Sequence, residues 1–275
     1  MKVLGSPEGC YLYLHGLAVP SAIALAEGVD LLPAGRAKLC ASLLNGIERD
    51  EGRAVLMLFL PRVASQLRIT GANAQEVATR AWNSVWDGIL VGALAGCDAT
   101  CNLQSSVPIE ELTASSKIHV TNHHLRGLRS WPPLTLNQEQ VAWLSSNFSS
   151  ARALIDKEAY RDAVHALASY KWHSLPRAQL AMVWSGIEGL FGIDSEITFK
   201  LSLGIVKFLG ETVDEQRRIF QSTKALYKAR SKAVHGGRIK EDAQNAVSES
   251  AVLLNRLILR AAECGRLPDI EQLII

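Results

Sequence analysis

Residues 216–237 read QRRIFQSTKALYKARSKAVHGG. Ile219, Leu226 and Ala233 recur at intervals of seven, which marks one stripe of a helix for burial. Gly236 or Gly237 can take the left-handed conformation that closes a helix, which permits this one to end at His235. Similar patterns run through 138–147, 149–170, 176–191, 197–210, 213–234 and 241–264. Asn137 is a suitable N-cap for the first of them, with Gln138, Glu139 and Gln140 in the opening turn. The separators are short: Ser174-Leu175-Pro176, Gly192-Ile193-Asp194-Ser195, Gly210 and His235-Gly236-Gly237. Short loops between long amphipathic helices predict antiparallel neighbours in a bundle.

Upstream the pattern is less regular. The tract 128–134 (LRSWPPL) contains two consecutive prolines, which cannot sit inside a helix. It predicts a boundary between an N-terminal module, 1–135, and the helical bundle, 136–275. Within the first module, 11–14 and 22–32 read as short strands, and 117–121 as another. Residues 36–48 and 52–66 read as helices, the second kinked or broken at Pro61, and 74–97 as a long Ala-rich helix. Residues 105–116 read as a loop. The fold class is therefore mainly α, with an N-terminal helical or mixed α/β module of unknown role. Gly88, Gly92 and Gly96, four apart, predict close helix–helix packing. Trp82, Trp86, Trp143, Trp172 and Trp184 are expected to be core anchors.

Composition narrows the function. The chain has 275 residues, of which 48% are hydrophobic and 20% charged, so it is not a disordered chain. The net charge is +2, with 11 basic and 11 acidic residues in 1–135 and 18 and 16 in 136–275. No whole-chain field announces a partner. Yet 216–240 holds eight basic side chains and no acidic one: Arg217, Arg218, Lys224, Lys228, Arg230, Lys232, Arg238 and Lys240. Solvated helix faces usually mix signs, so this run predicts an anionic partner, RNA phosphates foremost. Five cysteines in a chain of this length argue against a disulfide scaffold and predict a reducing, cytoplasmic setting. No apolar run approaches the ~18 residues of a membrane span. The longest, 54–60, stops at Pro61.

Motifs exclude more than they establish. There is no Walker-type phosphate loop, dinucleotide fingerprint or Gly-x-Ser-x-Gly elbow. Cys97-x3-Cys101 and His119-x3-His123, with His124 as an alternate, have the ligand types of a structural zinc. However, the spacer of 17 residues is longer than in a finger, and the usual Phe and Leu positions are missing. No metal and no cofactor are expected.

The chemistry-bearing spacing is Arg230-x4-His235. On a continuous helix the two side chains would lie ~140° apart and ~7.5 Å along the axis. They converge only if the helix ends at His235, or if two protomers meet across a two-fold axis. Cleavage of RNA through its 2′-hydroxyl needs proton transfer near neutral pH, which an imidazole supplies. It also needs a fixed positive fork for the phosphorane oxygens, which a guanidinium supplies. The same two residues also suit a plain basic C-cap.

Arg-x4-His at the end of a late helix, followed by Gly, resembles the signature of the HEPN superfamily. Three blocks resemble the Apea-like HEPN family specifically: 183–191 (VWSGIEGLF), 197–201 (ITFKL), and 219–220 (IF) with 226–237 (LYKARSKAVHGG). Together they lie within about 138–262. The resemblance implies a bundle that dimerises around the Arg/His motif. It also implies, in many members, metal-independent endoribonuclease activity in toxin or anti-phage systems. Arg230 and His235 would then be catalytic. Ser231 would fill the polar position often held by Asn, and Glu188 would match an acidic residue common on the earlier helix. The basic run would be the RNA track. Some superfamily members are inactive, so the competing expectation is a non-catalytic HEPN module that binds nucleic acid, nucleotide or a protein partner.

Overall fold

Strand β1 (Cys10–His15) is buried at nearly every position, because helices cover both of its faces. It belongs to the computed structural model of the chain, which describes residues 9–37, 41–123, 132–193, 197–234 and 243–274. The chain divides into two units, Met1–Ser149 and Ser150–Ile275.

In the first unit β1 is followed by β2 (Leu17–Ala18), β3 (Ile23–Ala26), β4 (Val29–Pro33), α1 (Ala41–Asn45) and α2 (Asp50–Phe59). A 3-10 turn, Leu60–Arg62, leads into β5 (Val63–Ile69), α3 (Ala74–Ala95) and β6 (Thr100–Ser105). Then come β7 (Ile118–Val120), β8 (Leu134–Thr135) and α4 (Gln138–Leu154). Six strands form one sheet in the order β3-β4-β5-β1-β6-β7, and every neighbouring pair is antiparallel. β2 and β8 pair separately and in parallel. Helix α3 lies on one face, with Gly88 set against Leu14 and Leu67. On the other face Tyr13 and Leu103 join Leu43, Val55, Leu56 and Phe59 in a core. Asn73 caps α3 by accepting from Glu76 N at 2.9 Å, and Gly96 ends it at φ 69°.

The mixed module is therefore built on a sheet, two of whose strands differ from expectation. The helix expected over 52–66 stops at Phe59. Pro61 opens the 3-10 turn, Val63 is extended at φ −61°, ψ 126°, and β5 follows. β5 hides its signal because Ser65 and Gln66 are buried. Ser65 Oγ donates to Leu17 O at 2.8 Å, and Gln66 Oε1 accepts from Ile109 N at 3.0 Å. β6 is equally polar: Asn102 Nδ2 donates to Asn122 O at 2.9 Å, and Ser105 Oγ donates to Lys117 O at 3.0 Å. Such strands satisfy side-chain polarity internally and so lose the apolar alternation that betrays a strand.

Two packing expectations are corrected. Gly88 faces the sheet, Gly92 lies against Ala99 and the Cys97 carbonyl, and Gly96 is the helix cap, so the three glycines serve no helix–helix contact. Of the five tryptophans named above, among the chain's six, only Trp184 is fully buried. Trp82, Trp86 and Trp172 are 53%, 38% and 37% exposed, and Trp143 is half-buried. Trp82 and Trp86 lie about 120–160° around α3 from Gly88, away from the sheet.

The second unit is helical throughout its described residues: the end of α4, then α5 (Glu158–Ser169), α6 (Pro176–Phe191), α7 (Ile197–Leu209), α8 (Val213–Val234), α9 (Ala243–Cys264) and α10 (Ile270–Ile274). Asn137 and Gln140 cap α4 reciprocally, each backbone N–H donating to the other's side-chain oxygen, at 2.8 and 3.0 Å. α4 runs unbroken to Leu154, past the break expected near 148. α6 is the hub. Its Gly186 lets α5 approach so closely that a Cβ there would sit 3.0 Å from Ala166 Cβ. Trp184 fills the centre and donates from Nε1 to Ser250 Oγ on α9 at 3.0 Å.

Candidate functional site

Helix α8 separates its residues by face. Ile219, Thr223, Leu226, Ala229 and Ala233 are buried. Arg217, Arg218, Lys224 and Lys228 are exposed, and Lys232 is half-buried. At 100° per residue, these five basic residues lie about 120–160° from Arg230 around the helix. Arg230 thus stands apart from the basic strip and points towards α6. His235, Arg238 and Lys240, together with the glycines expected to close the helix, lie outside the described residues.

Arg230 Nη2 donates to Glu188 Oε2 at 2.9 Å, with the two side chains 21% and 23% exposed. The guanidinium carbon lies 5.7 Å from the centre of the Tyr227 ring. Tyr227 in turn meets Trp184 edge-on, with centroids 5.2 Å apart and planes at 81°. Trp184, Tyr227, Arg230 and Glu188 form one continuous contact between α6 and α8. Burial pushes the Glu188 carboxyl above its ordinary range, and the charge and hydrogen bond of Arg230 pull it back. Among the described residues, Glu188 Oε1 and Arg230 Nε are buried with no hydrogen-bond partner. The pair keeps unused donor and acceptor capacity beside the last turn of α8. Ser231 follows Arg230 and is half-buried.

Among the described residues, the basic strip has few internal partners. Arg217 reaches Asp214 at 3.8 Å with both side chains exposed, and Arg218 Nε donates to Asp214 O at 3.4 Å. Lys224 Nζ lies 5.3 Å from the centre of the Phe220 ring. Pairs this exposed hold little energy and leave the cations available.

The Cys/His constellation falls in the first unit. Cys101 is on β6 and His119 on β7, while His124 lies outside the described residues. Burial pushes the Cys101 thiol up to about 12. Among the described residues, no group of three or more His, Cys, Asp or Glu is placed to hold a metal ion. Among the same residues, no helix is long and apolar enough to cross a membrane.

The sequence reading missed the roles of Tyr227 and of Phe220. The available signal was aromatic residues set inside an otherwise basic segment. No family model, no curated protein and no solved structure matches this chain.

Proposed function

We propose that this chain is a metal-independent endoribonuclease of HEPN type, acting as a homodimer and serving as a toxin or anti-phage defence effector. The observation that carries the reading is the Arg230–Glu188 pair. A guanidinium is fixed, partly shielded from water, one turn before the described end of a basic helix and five residues before a histidine. In the proposed reaction the RNA 2′-hydroxyl attacks the adjacent phosphorus and the bond to the 5′-oxygen breaks. His235 serves the transfer of the 2′-hydroxyl proton to the departing 5′-oxygen, which leaves as a 5′-hydroxyl beside a 2′,3′-cyclic phosphate, and Arg230 neutralises the charge that develops on the phosphorane oxygens. Arg217, Arg218, Lys224, Lys228, Lys232, Arg238 and Lys240 track the phosphates. Because Arg230 faces away from the exposed strip, a tracked strand reaches it by rounding the end of α8 or from a partner protomer. The test is cleavage of total RNA with and without EDTA, comparing the wild type with Arg230→Ala and His235→Ala.

The same geometry favours one competing reading. Glu188 already accepts a hydrogen bond from Nη2 of Arg230, as in a structural ion pair. A non-catalytic HEPN module that binds nucleic acid, nucleotide or a protein partner would use the strip and leave the pair as an internal clamp. Wild-type protein that binds RNA with salt-sensitive affinity but cuts none would support that reading.

A further inference from the structure

Phe199 on α7 is 60% exposed, a large apolar ring facing solvent beside a basic helix. It meets Phe220 of α8 edge-on, with centroids 6.5 Å apart and planes at 81°. Phe220 is half-buried and carries Lys224 over its ring at 5.3 Å. Around α8, Phe220, Lys224, Arg217 and Lys228 fall within about 80° of one another. The packing of α7 on α8 therefore joins an exposed ring, a second ring that braces it, and three exposed cations on one surface.

We infer that this surface is a stacking platform for an unpaired base of single-stranded RNA, with Phe199 as the ring that receives the base and Lys224 and Lys228 holding the flanking phosphates. Each half of the platform selects for part of that ligand. Cations without acidic neighbours along residues 216–234 select an anion. An exposed aromatic face selects a flat π-surface, and every base offers one once it is out of a duplex. A double helix satisfies only the cations, because its bases are already stacked on each other. An acidic protein partner would also satisfy the cations, but it gives no reason for the ring to stand in the open. Its centroid is 6.5 Å from that of Phe220, and with 60% of its surface exposed the Phe199 ring stays open to a stacking base.

The inference rests on the chain being an RNA-binding protein, and the test separates the two. Fluorescence anisotropy of the intact chain at low salt is measured with a labelled single-stranded RNA of about 12 nucleotides and with its duplex. Phe199→Ala should bind the single strand about 10-fold more weakly and the duplex within about two-fold of wild type. Phe199→Tyr should retain single-strand affinity, because it keeps a ring. Circular dichroism should match across all three proteins, since Phe199 is exposed. If the wild type binds the single strand but Phe199→Ala binds it equally well, the platform is overturned and RNA binding stands. If the wild type binds neither RNA, both fall. If Phe199→Ala alters the mass in light scattering while RNA affinity is unchanged, the ring is a contact between copies and the platform is overturned.

Discussion

Glu188 and Arg230, forty-two residues apart in the chain, are joined at 2.9 Å in a setting where each is about four-fifths shielded from water. Removing the acceptor and weakening it should therefore differ. Glu188→Ala strands the guanidinium with no acceptor and should cost about 2 kcal/mol of stability. Glu188→Gln keeps an acceptor and removes a partly buried charge, so it should lie within about 1 kcal/mol of wild type at neutral pH. The pH dependence has a definite sign. Burial raises the carboxyl of Glu188, so the folded state takes up a proton more readily than the unfolded chain. The stability linked to that proton is complete below the ordinary carboxylate value and is lost as pH rises through the raised one. Acidification from neutral pH should thus stabilise the wild type relative to Glu188→Gln, which does not titrate. Urea denaturation of the three proteins at neutral pH and near pH 5 checks both statements.

Gly186 and Gly189 sit three residues apart on α6 and should respond oppositely to alanine. A Cβ at Gly186 would lie 3.0 Å from Ala166 Cβ and 3.2 Å from Ala163 Cα, and the second of these is backbone that cannot swing aside. The overpacking costs about 1–3 kcal/mol, against a helix-propensity gain of about 1 kcal/mol. Gly186→Ala should therefore be destabilising. Among the described residues, Gly189 has nothing within 4 Å of its Cβ position, so Gly189→Ala should stabilise by up to about 1 kcal/mol. Thermal unfolding of the two variants decides. Equal shifts would mean that α5 and α6 are not packed this closely.

Helix boundaries in the second half were legible where a cap or punctuation enforced them. Asn137, Pro176, Gly192 and Gly210 bracket helices at or within a residue or two of the expected limits. The heptad spacing of Ile219, Leu226 and Ala233 likewise marked residues that are buried. The sheet was half hidden because its central strands bury Ser65, Gln66, Asn102 and Gln104. A period-2 signal assumes that buried means apolar, and here it does not. At the site, sequence order placed Arg230 inside one basic run, yet the helix turns it about 120–160° from the other cations described. A linear count of charge does not separate those faces; the helical period does, once the stripe of Ile219, Leu226 and Ala233 marks the side of α8 that is buried.

If the Arg230/His235 motif is completed across a two-fold axis, the chain should be dimeric. α8 is helical through Val234, and on a continuous helix two residues five apart diverge by ~140°. Light scattering should give about twice the chain mass at micromolar concentration. A monomer throughout that range would leave the site to a single chain.

If the exposed cations of α8 hold phosphates, RNA affinity should fall steeply with salt. Each neutralised phosphate contributes a slope of roughly −0.7 for single strands. Lys224→Glu combined with Lys228→Glu should weaken binding and flatten the slope without unfolding the chain, because both side chains are exposed. An affinity indifferent to salt would make the strip a solvated face.

The chemistry should separate from the binding. If the chain is the proposed ribonuclease, His235→Ala should lose about 10²–10⁴ in cleavage rate while keeping most RNA affinity, because on that reading affinity comes from the lysines and arginines and proton transfer needs an imidazole. Arg230→Ala should be comparably severe, since the charge on the phosphorane loses its fixed donors. Its interpretation needs the Glu188 variants beside it: loss of Arg230 also leaves a buried carboxylate without its cation, so stability must be measured with rate. Arg230→Lys restores the charge but not the planar fork, and should rescue stability better than rate. Wild-type cleavage should continue in EDTA, leave a 2′,3′-cyclic phosphate and spare DNA, which lacks the attacking hydroxyl. Cleavage by His235→Ala at the wild-type rate would remove the histidine from the reaction.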